Sequence, residues 1–118
     1  MRRVLIVEDE PLLRLLAADL LSELGIEVIE APNADIALAL FQSDTSIDGV
    51  FTDIQMPGSI DGLSLARKVS EARPDVRLVV TSGMLRPGPG ELPVNAVFLA
   101  KPYAPASLVE HFAVRVFA

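Results

Sequence analysis

Hydrophobic and polar positions fall into two alternating patterns along this chain. Val4-Leu-Ile-Val7 is an unbroken apolar run rich in β-branched residues, the pattern of a strand buried on both faces. From Leu13 apolar residues return at Leu16, Leu20 and Leu24, with Ala17 and Leu21 widening the face, which is helical spacing. Pro11 suits a first helical turn, Asp9 or Glu10 stands where a cap belongs, and Gly25 ends the segment. Ile26 to Glu30 alternates apolar and acidic residues and predicts a more exposed strand, after which Asn33 caps a helix from Ala34 to about Gln42. Gly49 to Thr52 predicts a third strand, ending at Asp53, and a third helix runs from about Leu63 to Ala72, before Pro74. Val76 to Val80 and Val94 to Leu99 predict a fourth and a fifth strand. Pro105 opens a last helix to about Val116, with Leu108, Phe112 and Val116 on one face.

Strands alternating with helices predict an α/β fold around a parallel sheet. One stretch breaks the rhythm. Met84 to Pro93, "MLRPGPGELP", holds three prolines and two glycines. Proline costs about 3 kcal/mol in a helix interior, so a full helix is not expected there.

Composition narrows the function classes. With 118 residues the chain fits one domain, and a hydrophobic fraction of 51% can cover a core. The absence of cysteine excludes disulfides, thiol catalysis and thiolate metal sites. A net charge of -6 without a basic cluster argues against direct nucleic-acid binding. No apolar run is long enough to cross a bilayer, and the run after Arg2 and Arg3 is too short for a signal peptide. The expected setting is soluble and cytoplasmic.

In open parallel sheets, ligands bind outside the carboxyl ends of the strands. Here those ends carry Glu8 and Asp9, then Asp53, then Thr81-Ser82-Gly83, then Lys101-Pro102. Three carboxylates in close company repel one another, and a hard divalent cation with oxygen ligands, such as Mg²⁺, is the simple remedy. A lysine and a hydroxyl beside them suit phosphoryl oxygens, and an aspartate facing such a site can be the nucleophile that accepts a phosphoryl group. Each residue alone has a plainer reading. Glu8, Asp9 and Glu10 can cap the first helix, Asp53 and Ser82 can shape turns, and Lys101 can be solvated. The conjunction at one sheet edge is what points to chemistry. His111 and Tyr103 read as packing residues. The phenylalanines of the last helix read as core, with Val109, Ala113 and Phe117 extending an apolar face that could meet a partner.

The segments "VLIVEDE", "VFTDIQMPGSIDGL", "LVVTSG" and "FLAKPY", in this order and spanning nearly the whole chain, resemble the receiver domain of bacterial two-component response regulators. The resemblance implies one receiver domain over residues 1–118, with a doubly wound, flavodoxin-like five-stranded parallel sheet in the order 2-1-3-4-5. It implies that Asp53 takes a phosphoryl group from a histidine kinase or phosphotransfer protein. It assigns Mg²⁺ to Glu8, Asp9, Asp53 and the backbone carbonyl of Gln55. Lys101 matches the phosphoryl-pairing lysine, and Pro102 stands where the family tends to a cis peptide. Ser82 matches the switch hydroxyl, with Thr81 as runner-up, and Phe98 the switch aromatic. Phosphorylation would shift an equilibrium at the face of helix four, strand five and helix five, read by a downstream protein.

Three departures stand out. Glu8 replaces a frequent aspartate, "MPGSIDG" carries extra residues, and "MLRPGPGELP" stands where the family has its fourth helix. That helix is expected to be lost, short or irregular. With the sequence ending after the last helix, the chain resembles stand-alone receivers, a monomer or weak homodimer with no contact to membrane. Two other classes remain: a receiver that has given up phosphorylation, and a Mg²⁺-dependent phosphohydrolase resembling haloacid dehalogenases. The first need not keep Glu8, Asp9, Asp53, Ser82 and Lys101 together. The second wants a further acid two residues after the nucleophile, where this chain has Gln55.

Overall fold

A computed structural model describes residues 3–84, 86–88 and 90–112. Nine elements follow one another: β1 (Arg3–Val7), α1 (Pro11–Ser22), β2 (Glu27–Ala31), α2 (Ala34–Ser43), β3 (Gly49–Asp53), α3 (Gly62–Ala72), β4 (Arg77–Ser82), β5 (Ala96–Ala100) and α4 (Pro105–Phe112). The strands form one parallel sheet, as the sequence pattern predicts, in the order β2-β1-β3-β4-β5, the doubly wound, flavodoxin-like arrangement that the resemblance implies.

The reason β1 reads as a continuous apolar run is its place between β2 and β3, with helices on both faces. Alternate residues serve opposite layers. Leu5, Val7, Val50, Leu78 and Val80 pack with Phe41, Leu65 and Val69 of α2 and α3. Val4, Ile6, Phe51 and Val79 pack with Ala17, Ala18 and Leu21 of α1 and with Leu108 and Phe112 of α4.

The helix starts follow local chemistry. Glu10, rather than Asp9, caps α1 and accepts from the Leu12 amide at 3.0 Å. Asn33 accepts from the Ile36 amide and Asp61 from the Ser64 amide, both at 2.8 Å.

Several boundaries differ from the sequence reading. β4 extends through Ser82, so Thr81 and Ser82 lie inside the strand. β5 starts at Ala96 rather than Val94, and Val94 is fully exposed. The apolar face read on α1 is also corrected. Leu13, Leu16 and Leu24 are exposed, and the buried residues are Ala17, Ala18 and Leu21. The extension of the last helix to Val116, and the patch residues Ala113 and Phe117, lie outside the described residues.

Between β4 and β5 the described residues form no helix. The described residues there form instead a strap tied to α3. Arg67 Nε and Nη2 donate to the Glu91 carbonyl at 3.3 and 3.1 Å. The Ser70 hydroxyl donates to Asn95 Oδ1 at 2.6 Å, and Asn95 Nδ2 donates to the Val76 carbonyl at 3.1 Å. Leu92 packs onto the core. A strap covers less than a helix, and all five residues of β5 stay partly exposed.

Candidate functional site

Strand register assembles the site. Val7 lies opposite Thr52, Asp53 opposite Thr81, and Ser82 opposite Ala100. One residue beyond β1 and β5 therefore puts Glu8 and Lys101 along the same carboxyl edge as Asp53 and Ser82, the last residues of β3 and β4, although they are far apart in sequence. Glu8 continues the β1–β2 ladder, its amide donating to the Ala31 carbonyl at 3.2 Å.

One carboxylate oxygen from each of Glu8, Asp9 and Asp53 lies within 4.8 Å of the others. Glu8 and Asp53 are each 7% exposed, whereas Asp9 is open to solvent. Lys101 reaches across the sheet, its Nζ donating to Glu8 Oε1 at 3.0 Å and to Asp53 Oδ2 at 2.9 Å. One ammonium thus faces three carboxylates. Burial pushes the Glu8 carboxyl above its ordinary pKa, against the opposing pull of its bond from Lys101. For Lys101 burial acts to lower the pKa, but hydrogen bonds to Asp53 and Glu8 outweigh it and the ammonium is held above its ordinary value. A cluster of oxygen donors with surplus negative charge, two partly desolvated, fits a hard cation such as Mg²⁺.

The remaining candidates surround this cluster. The Gln55 amide donates to Asp53 Oδ1 at 3.3 Å, which folds the loop after β3 back over the strand end. The Thr81 hydroxyl donates to the Leu99 carbonyl at 2.6 Å and joins β4 to β5. The Ser82 hydroxyl accepts from the Met84 amide at 3.3 Å. Phe98 is half-buried against the α2–α3 layer, with the Arg86 guanidinium 6.0 Å from its ring centre. The Lys101–Pro102 peptide is cis. His111 sits half-buried on α4, apart from the acidic cluster. Tyr103 packs edge-on against Phe51 at 5.7 Å between ring centres.

Three features escaped the sequence reading. Arg14 donates from Nη1 to the Glu8 carbonyl at 2.9 Å, and a basic side chain in the first turn of a helix, against the dipole, was the available signal. Asp35, on the first turn of α2, accepts from the Ser59 amide at 2.9 Å and from its hydroxyl, and so anchors the loop between β3 and α3. Nothing in the local pattern marks that contact. An apolar groove of about 540 Å³ also runs beside Lys101, lined by Leu13, Leu16 and Leu20 of α1 and by Pro102, Tyr103 and Pro105.

With this geometry in place, the family model described as response regulator receiver domain matches residues 4–113. The chain belongs to that family. The receiver is 29% identical over 116 residues to the chemotaxis protein CheY of Thermotoga maritima, with 92% of each chain covered. A response regulator receiver protein from Sinorhizobium medicae has a solved structure that superposes with a TM-score of 0.83 at 27% identity, covering 93% of this chain and 90% of that one. The response regulator TrrA of Thermotoga maritima, solved in complex with Mg²⁺ and BeF, is 38% identical with a TM-score of 0.65 over 70% of each chain. Other relatives are far longer, and the receiver spans a tenth or less of them. The receiver is therefore a signalling domain of two-component systems, with an acidic cluster that suits a phosphoacceptor aspartate.

Proposed function

We propose that this receiver accepts a phosphoryl group on Asp53 from the phosphohistidine of a histidine kinase or phosphotransfer protein, in a Mg²⁺-dependent reaction, and thereby switches a surface that binds a downstream protein. The observation that carries this reading is the gathering of Glu8, Asp9 and Asp53 oxygens within 4.8 Å. Glu8, Asp9, Asp53 and the Gln55 carbonyl hold the cation in this reading. When bound, it supplies positive charge to the phosphoryl oxygens.

The Asp53 carboxylate is the nucleophile. One of its oxygens bonds to phosphorus as the P–N bond to the donor's imidazole breaks, and the ring keeps the electron pair and takes up a proton. Lys101 exchanges its bond to Asp53 Oδ2 for one to the phosphoryl group. Ser82 donates its hydroxyl to a second phosphoryl oxygen. Thr81 is the lesser candidate, because its hydroxyl is already committed to the Leu99 carbonyl. Phe98 turns as Ser82 moves, and the surface it rearranges includes the strap. Water attack on the same phosphoryl group restores Asp53, so the domain catalyses its own gain and loss of phosphate and acts on no metabolite.

We further take residues 1–118 as one receiver domain working in the cytoplasm as a monomer or weak homodimer, with no direct contact to nucleic acid or membrane. The net charge of -6 argues against direct binding to nucleic acid. Among the described residues, no helix is long and apolar enough to cross a membrane.

The test uses acetyl phosphate as donor, with and without Mg²⁺, read by intact mass. The protein gains the mass of one phosphoryl group only with metal, and Asp53→Asn gains none. A wild type that stays unmodified, with acetyl phosphate and with partner kinases alike, would instead be a receiver fold without phosphorylation. Continuous release of phosphate from monoesters would indicate a hydrolase.

A further inference from the structure

Asp9 is the exposed member of the acidic cluster, and among the described residues no hydrogen bond holds its carboxylate. Its direction therefore depends on the backbone that carries it. The peptide joining Glu8 to Asp9 is the first one beyond the β1–β2 ladder, whose last rung is the Glu8 amide on the Ala31 carbonyl at 3.2 Å. A peptide unit is planar and rigid, so fixing its carbonyl also fixes the bond from which Asp9 departs.

Arg14 does the fixing. Its Nη1 donates to the Glu8 carbonyl at 2.9 Å, while its Nε donates to Glu30 Oε1 on β2 at 3.2 Å. Two donors of one planar guanidinium thus tie the start of α1, the end of β1 and the end of β2 into a single unit. The side chain is 21% exposed and half-enclosed by these partners. Its position makes little sense for the helix alone. A cation in the first turn opposes the helix dipole, which the Glu10 cap already serves.

From these contacts we infer that Arg14 is a positioning residue for the cation site: through the Glu8 carbonyl it holds the Glu8–Asp9 peptide and aims Asp9, and Glu30 holds Arg14 in that pose. This rests on the Mg²⁺ reading above and adds residues outside the acidic cluster to it. The sign of the effect separates positioning from charge. Acting only as a nearby positive charge, Arg14 repels a cation, and its removal tightens Mg²⁺ binding. Acting as a positioner, its removal loosens binding, by about ten-fold or more if it behaves as other residues that orient metal ligands do.

The experiment titrates the full chain with Mg²⁺ alone by calorimetry, comparing wild type, Arg14→Met, Arg14→Lys and Glu30→Gln. Arg14→Met weakens affinity about ten-fold or more. Arg14→Lys keeps the charge but lacks the fork that spans both partners, and weakens it similarly. Glu30→Gln, which keeps an acceptor for Arg14, weakens it less. Amide spectra of the metal-free proteins provide a second readout: in Arg14→Met the Asp9 and Glu10 signals move, while those of Gly49 to Asp53 stay. Equal or tighter Mg²⁺ binding by Arg14→Met overturns the proposal. If wild type binds no Mg²⁺, the cation reading falls, and the amide shifts then decide alone whether Arg14 holds the Asp9 backbone. Should Arg14→Met fail to fold, Arg14→Lys, which keeps the charge and loses the fork, carries both readouts, and binding equal to wild type overturns the proposal.

Discussion

Gly62 supports Asp53 from below, and replacing it with alanine is the sharpest test of how this edge is built. Gly62 opens α3 directly against the end of β3, its amide donating to the Ile54 carbonyl at 2.9 Å. A Cβ there would stand 1.6 Å from the Asp53 carbonyl oxygen, 2.6 Å from its carbonyl carbon and 2.9 Å from the Ile54 Cα. Ordinary contact begins at 3.4 Å, so helix and strand end would have to part by about 2 Å. All three atoms are backbone, so no side chain can rotate away. Overpacking of this kind costs about 3 kcal/mol, at the upper end of the usual range. For a domain of this size that lowers Tm by roughly 10 °C. The displaced backbone is that of the proposed nucleophile, and a misplacement of about 1 Å can cost on the order of 100-fold in rate. Thermal unfolding followed by circular dichroism, together with acetyl phosphate incorporation read by mass, measures both effects. Gly25→Ala is the control. Gly25 has φ +81° and open space around it, so alanine costs about 1 kcal/mol in backbone strain and leaves phosphorylation unchanged. If Gly62→Ala kept both the wild-type Tm and the wild-type phosphorylation rate, the packing argument would be refuted.

Four further outcomes are expected. Mg²⁺ at about 100 times its Kd stabilises the fold by about 2.7 kcal/mol, and chelation reverses this. Lys101→Met lowers the metal-free Tm and enlarges the Mg²⁺-induced rise, because Glu8 and Asp53 lose their shared ammonium; an unchanged rise would count against a common site. Thr81→Val loses the bond to the Leu99 carbonyl, costing about 1 kcal/mol, and keeps the phosphorylation response, whereas Ser82→Ala still phosphorylates but loses the accompanying change in the Phe98 ring signals. The reverse pattern would exchange their roles. Asp44, held by the Ser46 hydroxyl and then by Arg3, has its pKa lowered from 3.8 to about 2. Because the folded value lies below the unfolded one, its stabilisation is present above pH 3.8 and is lost as pH falls towards 2. The Tm gap between wild type and Asp44→Asn therefore closes over that window, and a gap that widened on acidification would contradict the sign.

The sequence alone determined the alternation of strands and helices and which residues gather at the carboxyl edge. Val4 to Val7 is apolar at every position because both faces are covered, and that burial is visible without knowing what covers it. Glu8, Asp53 and Lys101 were legible because each stands immediately after or at the end of a strand, and parallel strands must bring those ends to one side. The prolines and glycines of Met84 to Pro93 were legible because they act on the backbone locally.

Tertiary structure decided what no local pattern encodes. α1 carries leucines around most of its circumference, so spacing could not choose its buried side. The sheet took Ala17, Ala18 and Leu21, leaving Leu13 and Leu16 to line the groove beside Lys101. The grip of Arg14 on the Glu8 carbonyl, of Asp35 on Ser59, and of Lys101 on Glu8 and Asp53 across 93 and 48 residues of chain depends on how helices and loops dock. Periodicity reports which side of an element is apolar. Docking, which only the packed molecule settles, chooses the groups that side meets.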